Sequence, residues 1–189
     1  MAASTLRFLP DSPSDSSKRK RDGRHFTRLF HKAFIRPGLD RKNWHERALI
    51  AGPNWVPTGE GEMSTYLVEN YRTEQVHVRR MTLREDGFVS VQGPSSGGEL
   101  ITKPLLFEGG ELTMNYSTAA AGDIRVEIQD ENGQAIEGFT LEDCPPIFGD
   151  ELDGPVRWKS GADLSELSAV PVRLRFLLRD ADLFAIRFH

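Results

Sequence analysis

The sequence predicts an all-β protein, an antiparallel β-sandwich preceded by a small β-sheet unit, and three observations carry that prediction. Apolar and polar residues alternate with period two in several segments, the mark of strands with one buried face. The 17 Gly and 11 Pro are spread along the chain, as frequent tight turns require, and are not gathered in one low-complexity tract. Helical spacing of apolar residues is nearly absent. A length of 189 residues accommodates one domain with a sizeable core and a smaller unit beside it.

Taken in order, residues 1–22 read as a disordered tail. Asp11-Ser-Pro-Ser-Asp-Ser-Ser17 and the basic run Lys18-Arg-Lys-Arg21 offer no apolar face whose burial offsets the entropy of ordering them. Residues 23–93 read as the small β-sheet unit. Its candidate strands are Phe26 to Phe30, Lys32 to Ile35, Arg47 to Ala51 and Met63 to Tyr71. A hairpin is expected from Val76 to Glu85 and Phe88 to Gln92, because Asp86-Gly87 accepts the positive φ angles of a type I′ turn. A bulge near Arg79-Arg80 would bring Val76, Val78, Met81 and Leu83 onto one face. Pro94-Ser-Ser-Gly-Gly98 then reads as the linker between domains.

Residues 98–189 read as the sandwich. Leu112, Met114 and Tyr116 alternate with Thr113, Asn115 and Ser117, and Ile124, Val126 and Ile128 alternate with Arg125, Glu127 and Gln129. Glu131-Asn-Gly133 closes the second of these strands with a strong hairpin signal. Gly161 to Leu167 predicts one helical turn capped by Asp163. Near the end, Leu174, Phe176 and Leu178 share one parity and Phe184, Ile186 and Phe188 another. A hairpin through Asp180-Ala-Asp182 would point all six into one core. That register sets Arg175 against Arg187, a like-charge pair costing up to ~1 kcal/mol, so the face calls for an acidic neighbour. The strand carrying Glu127 is the candidate.

Charge and composition exclude several function classes. A net charge of −4 lacks the clustered excess of cations that phosphate neutralisation needs, which argues against a nucleic-acid binder. No apolar run approaches the ~20 residues of a membrane span, and Met1 to Pro10 holds no secretory signal. The expected location is the cytoplasm. The single Cys144 has no disulfide partner and no His at motif spacing, so it reads as an inert thiol.

Chemistry-bearing residues are scattered. Glycoside hydrolysis needs two carboxylates across one bond, and Asp40, Glu46, Glu60, Glu62 and Glu69 supply acids in the first unit, with no spacing that sets two of them together. Asp123, Asp130, Asp143, Asp150, Asp153, Asp180 and Asp182 sit mostly at strand ends. Turn geometry explains them without a cofactor, and a Ca²⁺ site is the alternative although no calcium-loop spacing is present. The five histidines form no zinc pattern. Trp44 and Trp55 lie in a Pro/Gly-rich stretch with Tyr66 and Tyr71 nearby. Two roles are open for these four: stacking on sugar rings, or filling the core of the small unit. Trp158 reads as a core or edge-strand aromatic.

Two sets of blocks resemble a known family. Arg21-Asp-Gly-Arg-His-Phe26, Ala33-Phe-Ile-Arg-Pro-Gly-Leu-Asp40, Asn43-Trp44, Glu46-Arg47 and Arg79-Arg-Met-Thr-Leu-Arg-Glu-Asp-Gly-Phe-Val-Ser90 resemble the closing blade of five-bladed β-propeller proteins related to glycoside hydrolases of the invertase and arabinanase type. Gly98-Glu-Leu-Ile-Thr-Lys-Pro-Leu105, Asn115-Tyr-Ser-Thr118, Gly122 to Asp130, Gly138-Phe139, Gly149-Asp150, Val172-Arg-Leu-Arg-Phe176 and Asp180-Ala-Asp-Leu183 are similar to the β-sandwich that follows such propellers. The family's catalytic carboxylates project from several blades into a central channel, and one blade matches here. The resemblance therefore implies a truncated member, a non-catalytic carbohydrate-associated module whose partner is a glycan. It also implies a tendency to self-associate through open sheet edges. The alternative is a glycoside hydrolase-like enzyme in which Glu46 or Glu62 serves a site completed by another chain or a missing segment. A third reading is a chain with no independent activity.

Overall fold

The computed structural model of the protein describes residues 4–7, 33–46 and 49–189. The expected disordered tail lies outside the described residues except for Ser4–Arg7, and the candidate strand Phe26 to Phe30 lies outside them entirely. In chain order the elements are β1 (Ser4–Arg7), a 3-10 turn η1 (Arg41–Trp44), β2 (Ile50–Ala51), β3 (Val56–Gly59), β4 (Glu62–Glu69), β5 (His77–Arg84), β6 (Val91–Gly93), β7 (Gly98–Ile101), β8 (Leu112–Asp130), β9 (Asp150–Pro155), a second 3-10 turn η2 (Leu164–Leu167) and β10 (Val172–Phe188). All pairings between strands are antiparallel, in two sheets, so the all-β class holds. Among the described residues no helix is long and apolar enough to cross a membrane.

The chain divides between Glu85 and Asp86 into two compact units, and β1 belongs with the second. This corrects the expected boundary at residues 94–98. Pro94 to Gly97 is a tight turn, closed by Gly97 N–H donating to the Pro94 carbonyl at 2.8 Å with Gly97 at φ +88. The strands on its two sides, β6 and β7, both pair with β10. Pro and Gly mark a bend in either case, and only the strand partner on each side tells a linker from a turn.

In the first unit β4 is central, with β5 along one side and β2 and β3 along the other. The expected hairpin across Asp86-Gly87 does not form. Asp86 does take φ +55, but Val91 to Gly93 pairs with β10. The bulge near Arg79-Arg80 is also absent, since the β4–β5 register runs unbroken from Glu62↔Arg84 to Glu69↔His77. Val78 is consequently left on a face with Tyr66 and Val68, 62% exposed. Lys32 to Ile35 supplies no strand among the described residues.

The second unit is built on two long paired strands, β8 and β10. The expected hairpin through Asp180-Ala-Asp182 is replaced by one continuous strand from Val172 to Phe188. Its inward parity changes at two register shifts, between Arg179 and Ala181 and between Leu183 and Ala185. Asp180 takes φ +46 at the first shift. Leu174, Phe176 and Leu178 therefore face Ile128, Val126 and Ile124, while Ile186 and Phe188 face Met114 and Leu112. All of these are buried, as the alternation predicts. Phe184 is the exception: the first shift sends Ala181 and Leu183 inward, and Phe184, passed over at the second shift, is half-buried. Gly122 allows the two strands to meet at the first shift, because a Cβ there would lie 2.4 Å from the Asp180 carbonyl oxygen.

Arg175 does not oppose Arg187. Its cross-strand partner is Glu127, and its guanidinium binds Glu99 at 2.6 Å and Glu127 at 3.3 Å, so the acidic neighbour that the charge pattern demanded is in place. The Asn132-Gly133 turn forms as expected, with the Asp130 carboxylate accepting from the backbone N–H of Asn132 and Gln134 at 2.9 and 2.8 Å. η2 is capped by the Asp163 carboxylate, which accepts from Ser165 N–H at 2.9 Å.

Candidate functional site

Several chemistry-bearing residues of the first unit lie at the end of β4 away from Glu62. Asp40 caps η1 by accepting from Lys42 N–H, and that bond, opposed by slight burial, holds its carboxyl below the usual range. The next turn places Asn43 inward, where its amide oxygen accepts from the backbone N–H of Asn70 at 2.8 Å. The Asn43 amide nitrogen donates to the Pro37 carbonyl at 3.1 Å, and the Asn70 amide nitrogen reaches Asp40 at 3.4 Å. Asn43 and Asn70 are both buried, so the bond joining them is shielded from water.

Trp44 and Tyr71 follow these two asparagines directly, so the shared bond ties together the two chain segments that carry them. Trp44 is 54% exposed, yet its indole N–H donates to the Gly38 carbonyl at 2.9 Å, which fixes the ring while leaving its apolar surface in water. Tyr71 is 37% exposed and carries the Arg72 guanidinium 5.4 Å above its ring centre. Arg72 in turn approaches Glu46 at 3.7 Å. The β4–β5 connection that presents these groups holds Asn70 at φ +54 and Arg72 at φ +59. Asn tolerates the left-handed region, but for arginine it is a strained conformation, of the kind that gathers at binding sites.

The remaining expected sugar-binding residues lie elsewhere. Trp55 is half-buried, edge-to-face with Phe34 at 6.2 Å, and serves as packing. Tyr66 is exposed in the middle of β4, opposite Arg80, on a face with Val78 and Ile50. Of the four aromatics, then, Trp44 and Tyr71 are the two carried on segments joined by the Asn43–Asn70 bond. Trp158 is a packed aromatic as expected, edge-to-face with Phe139 at 5.1 Å and donating to the Val126 carbonyl at 3.0 Å.

Glu46 and Glu62 are not brought together. Glu62 begins β4, where it accepts from Thr58 and pairs with Arg80. Glu46 lies beside Arg72, past the other end of that strand. Eight residues of strand span on the order of 20 Å, against the ~5–9.5 Å that separates the carboxyls of a glycosidase. Glu69 is buried and committed to Arg79 at 2.7 Å and His77 at 3.1 Å.

In the second unit the strand-end aspartates mostly do turn or pairing work. Asp130 closes a turn, Asp143 accepts from the Thr140 hydroxyl at 2.8 Å, Asp182 from Ser90 at 2.6 Å, and Asp123 pairs with Arg179. Among the described residues no group of three or more His, Cys, Asp or Glu side chains is placed to hold a metal ion. Cys144 is buried, its sulfur accepts from Val126 N–H at 3.3 Å, and burial raises its thiol above the ordinary range, against a smaller lowering by that bond and by Arg125 and Lys159. That is the inert thiol the sequence predicts.

Sequence reasoning missed Asn43, Asn70 and Arg72 as parts of the site. The available signal was Glu69-Asn-Tyr-Arg-Thr73, a short polar connection between two strands with an aromatic at its tip. No family model matches the chain, no curated protein matches it, and no solved structure matches its fold.

Proposed function

We propose that the protein is a non-catalytic carbohydrate-associated module and that the corner formed by Trp44 and Tyr71 is its glycan contact. The observation that carries this reading is the fixed, exposed indole of Trp44, on a segment tied to the one that carries exposed Tyr71 by the buried Asn43–Asn70 bond. Sugar rings bind through apolar faces and bordering hydroxyls, and this corner offers apolar rings beside the polar groups of Glu46 and Arg72. Rings held in place lose little freedom on binding, which favours affinity from a small contact. The separation of Glu46 from Glu62 supports the non-catalytic half of the proposal. The resemblance of residues 21–189 to a terminal propeller blade and its following sandwich is a further support, independent of the geometry. The outer edge of β5 pairs with no strand among the described residues, which supports self-association through that edge as part of the same reading.

A thermal-shift screen of the full chain against a glycan panel tests the proposal, beside a chromogenic glycoside panel. The expected result is stabilisation by at least one neutral glycan, abolished by Trp44→Ala and weakened by Tyr71→Ala, with no glycoside turned over. Turnover that disappears in Glu46→Gln or Glu62→Gln would establish the enzyme reading instead.

A further inference from the structure

The second unit carries an open cleft on the outer face of β7, β8 and β10, with a volume of about 600 Å³, within the ~300–1,000 Å³ usual for small-molecule sites. Its floor follows from strand register. Arg125, Leu177 and Glu99 lie side by side across the three strands, and Asp123 with Arg179 forms the next row. These side chains point outward because Ile124, Val126, Phe176 and Leu178, their neighbours in sequence, are buried on the other face.

The charges of this face are not evenly matched. Arg175 is bound by both Glu99 and Glu127, and Arg179 by Asp123. Arg125 makes no hydrogen bond or ion pair among the described residues, although it is half-buried at the wall of the cleft. A half-buried guanidinium without an acid is a planar donor fork available to a carboxylate. Beside it Leu177 supplies apolar floor. Gly97, at the rim, leaves open space where any other residue would place a Cβ. Glu99 and Asp123 each use one carboxylate oxygen on an arginine, which leaves the other as an acceptor for hydroxyls.

We infer that this cleft binds an acidic sugar, a uronate whose carboxylate lies on Arg125, whose ring covers Leu177, and whose hydroxyls donate to Glu99 and Asp123. The choice of a sugar as ligand rests on the carbohydrate reading above, but the site is separate from the Trp44–Tyr71 corner and needs neither ring. A neutral glycan leaves the Arg125 fork unfilled, so the cleft discriminates for the acidic form. A simple anion engages Arg125 but leaves the apolar floor and the two acceptors unused.

The test is titration calorimetry of the full chain with trigalacturonate, with the neutral galactose trisaccharide, and with acetate, alongside the methyl signals of Leu177 in solution. Trigalacturonate is expected to bind, to shift those methyls, and to weaken as salt is raised. Arg125→Gln should lower its affinity about tenfold or more, the usual effect of removing a hydrogen bond to a charged group. Arg125→Lys should recover only part of it, because an ammonium lacks the fork. Unchanged affinity in Arg125→Gln overturns the inference, as does acetate shifting the Leu177 methyls as strongly as the trisaccharide. If neutral glycans bind in a Trp44-dependent way while the uronate does not, this inference falls and the proposed function stands. Uronate binding that survives Trp44→Ala and Tyr71→Ala but not Arg125→Gln establishes the cleft by itself.

Discussion

The two units of this chain solve the same problem, covering a small antiparallel sheet, with opposite means. In the second, buried Leu, Ile, Val and Phe side chains from β8 and β10 form a continuous core, with Phe107 stacked on Phe188 at 4.2 Å. In the first, Leu67 is the one buried hydrophobic among the described residues. The other buried positions are polar: Asn43, Ser64, Thr65, Glu69 and Asn70. Apolar burial is non-directional and tolerates any backbone that excludes water, whereas a buried polar network holds only if each donor meets its acceptor. The second unit is thus held mainly by apolar packing, and the first by a buried polar network around Asn43 and Asn70.

The sharpest way to test that contrast is to remove one large side chain from each unit. Phe176→Ala should cost ~3–5 kcal/mol in urea unfolding, as for a fully buried aromatic whose cavity cannot collapse. Leu67→Ala should cost nearer ~2 kcal/mol, because fewer apolar neighbours surround it. Equal losses would break the comparison. The next effect is polar. Asn43→Ala leaves the buried Asn70 N–H without its acceptor, which should cost ~1–3 kcal/mol and also abolish glycan-induced stabilisation, since Trp44 and Tyr71 lose their shared anchor. A thermal-shift measurement that found the glycan effect intact in Asn43→Ala would show that the network does not position the rings.

The smallest expected effect concerns pH. Burial raises the Asp153 carboxyl, but the Thr113 hydroxyl, His189 and Arg187 together hold it below the ordinary range. A carboxylate depressed in the folded state contributes stability above its unfolded value, near pH 4, and loses it as pH falls through the folded value. The group is half exposed, so the contribution is a few tenths of a kcal/mol. Asp153→Asn should therefore lower Tm slightly at neutral pH and match the unsubstituted chain once the pH has fallen below the folded value. A difference that grows in acid would reverse the assigned sign.

The contrast between the units also governs what could be read in advance. Leu174, Phe176, Leu178, Ile124, Val126 and Ile128 were legible as core because one-sided burial imposes period two on the chain itself. The Asn132-Gly133 turn and the Asp163 cap were legible because both are closed by residues within four positions of each other. The Asp180-Ala-Asp182 segment misled because a positive φ at Asp180 suits a hairpin loop and a bulge equally, and the β8 partner decides between them. Asp86-Gly87 misled in the same way. The bend is real, but the following strand takes β10, far along the chain, in preference to β5.

For the site, the residue types were visible and their grouping was not. Trp44, Tyr71, Glu46 and Glu62 all stood out by chemistry, and nothing local separates the first three, whose segments are joined through Asn43–Asn70 and Arg72–Glu46, from the fourth, which lies beyond the length of a strand. Arg125 is one of many arginines in the chain, distinguished only once strand register gives Arg175 and Arg179 their acids and leaves it none.

The sequence by itself determined the all-β class, the inward positions of the long strands and the local turns, because each depends on contacts between near neighbours or on burial of one face. The tertiary structure decided the boundary at Glu85, the continuity of β10, and which aromatic and charged side chains share a corner or a cleft. Those depend on which distant strand completes a hydrogen-bond ladder, a choice among many locally equivalent partners that only the packed chain resolves.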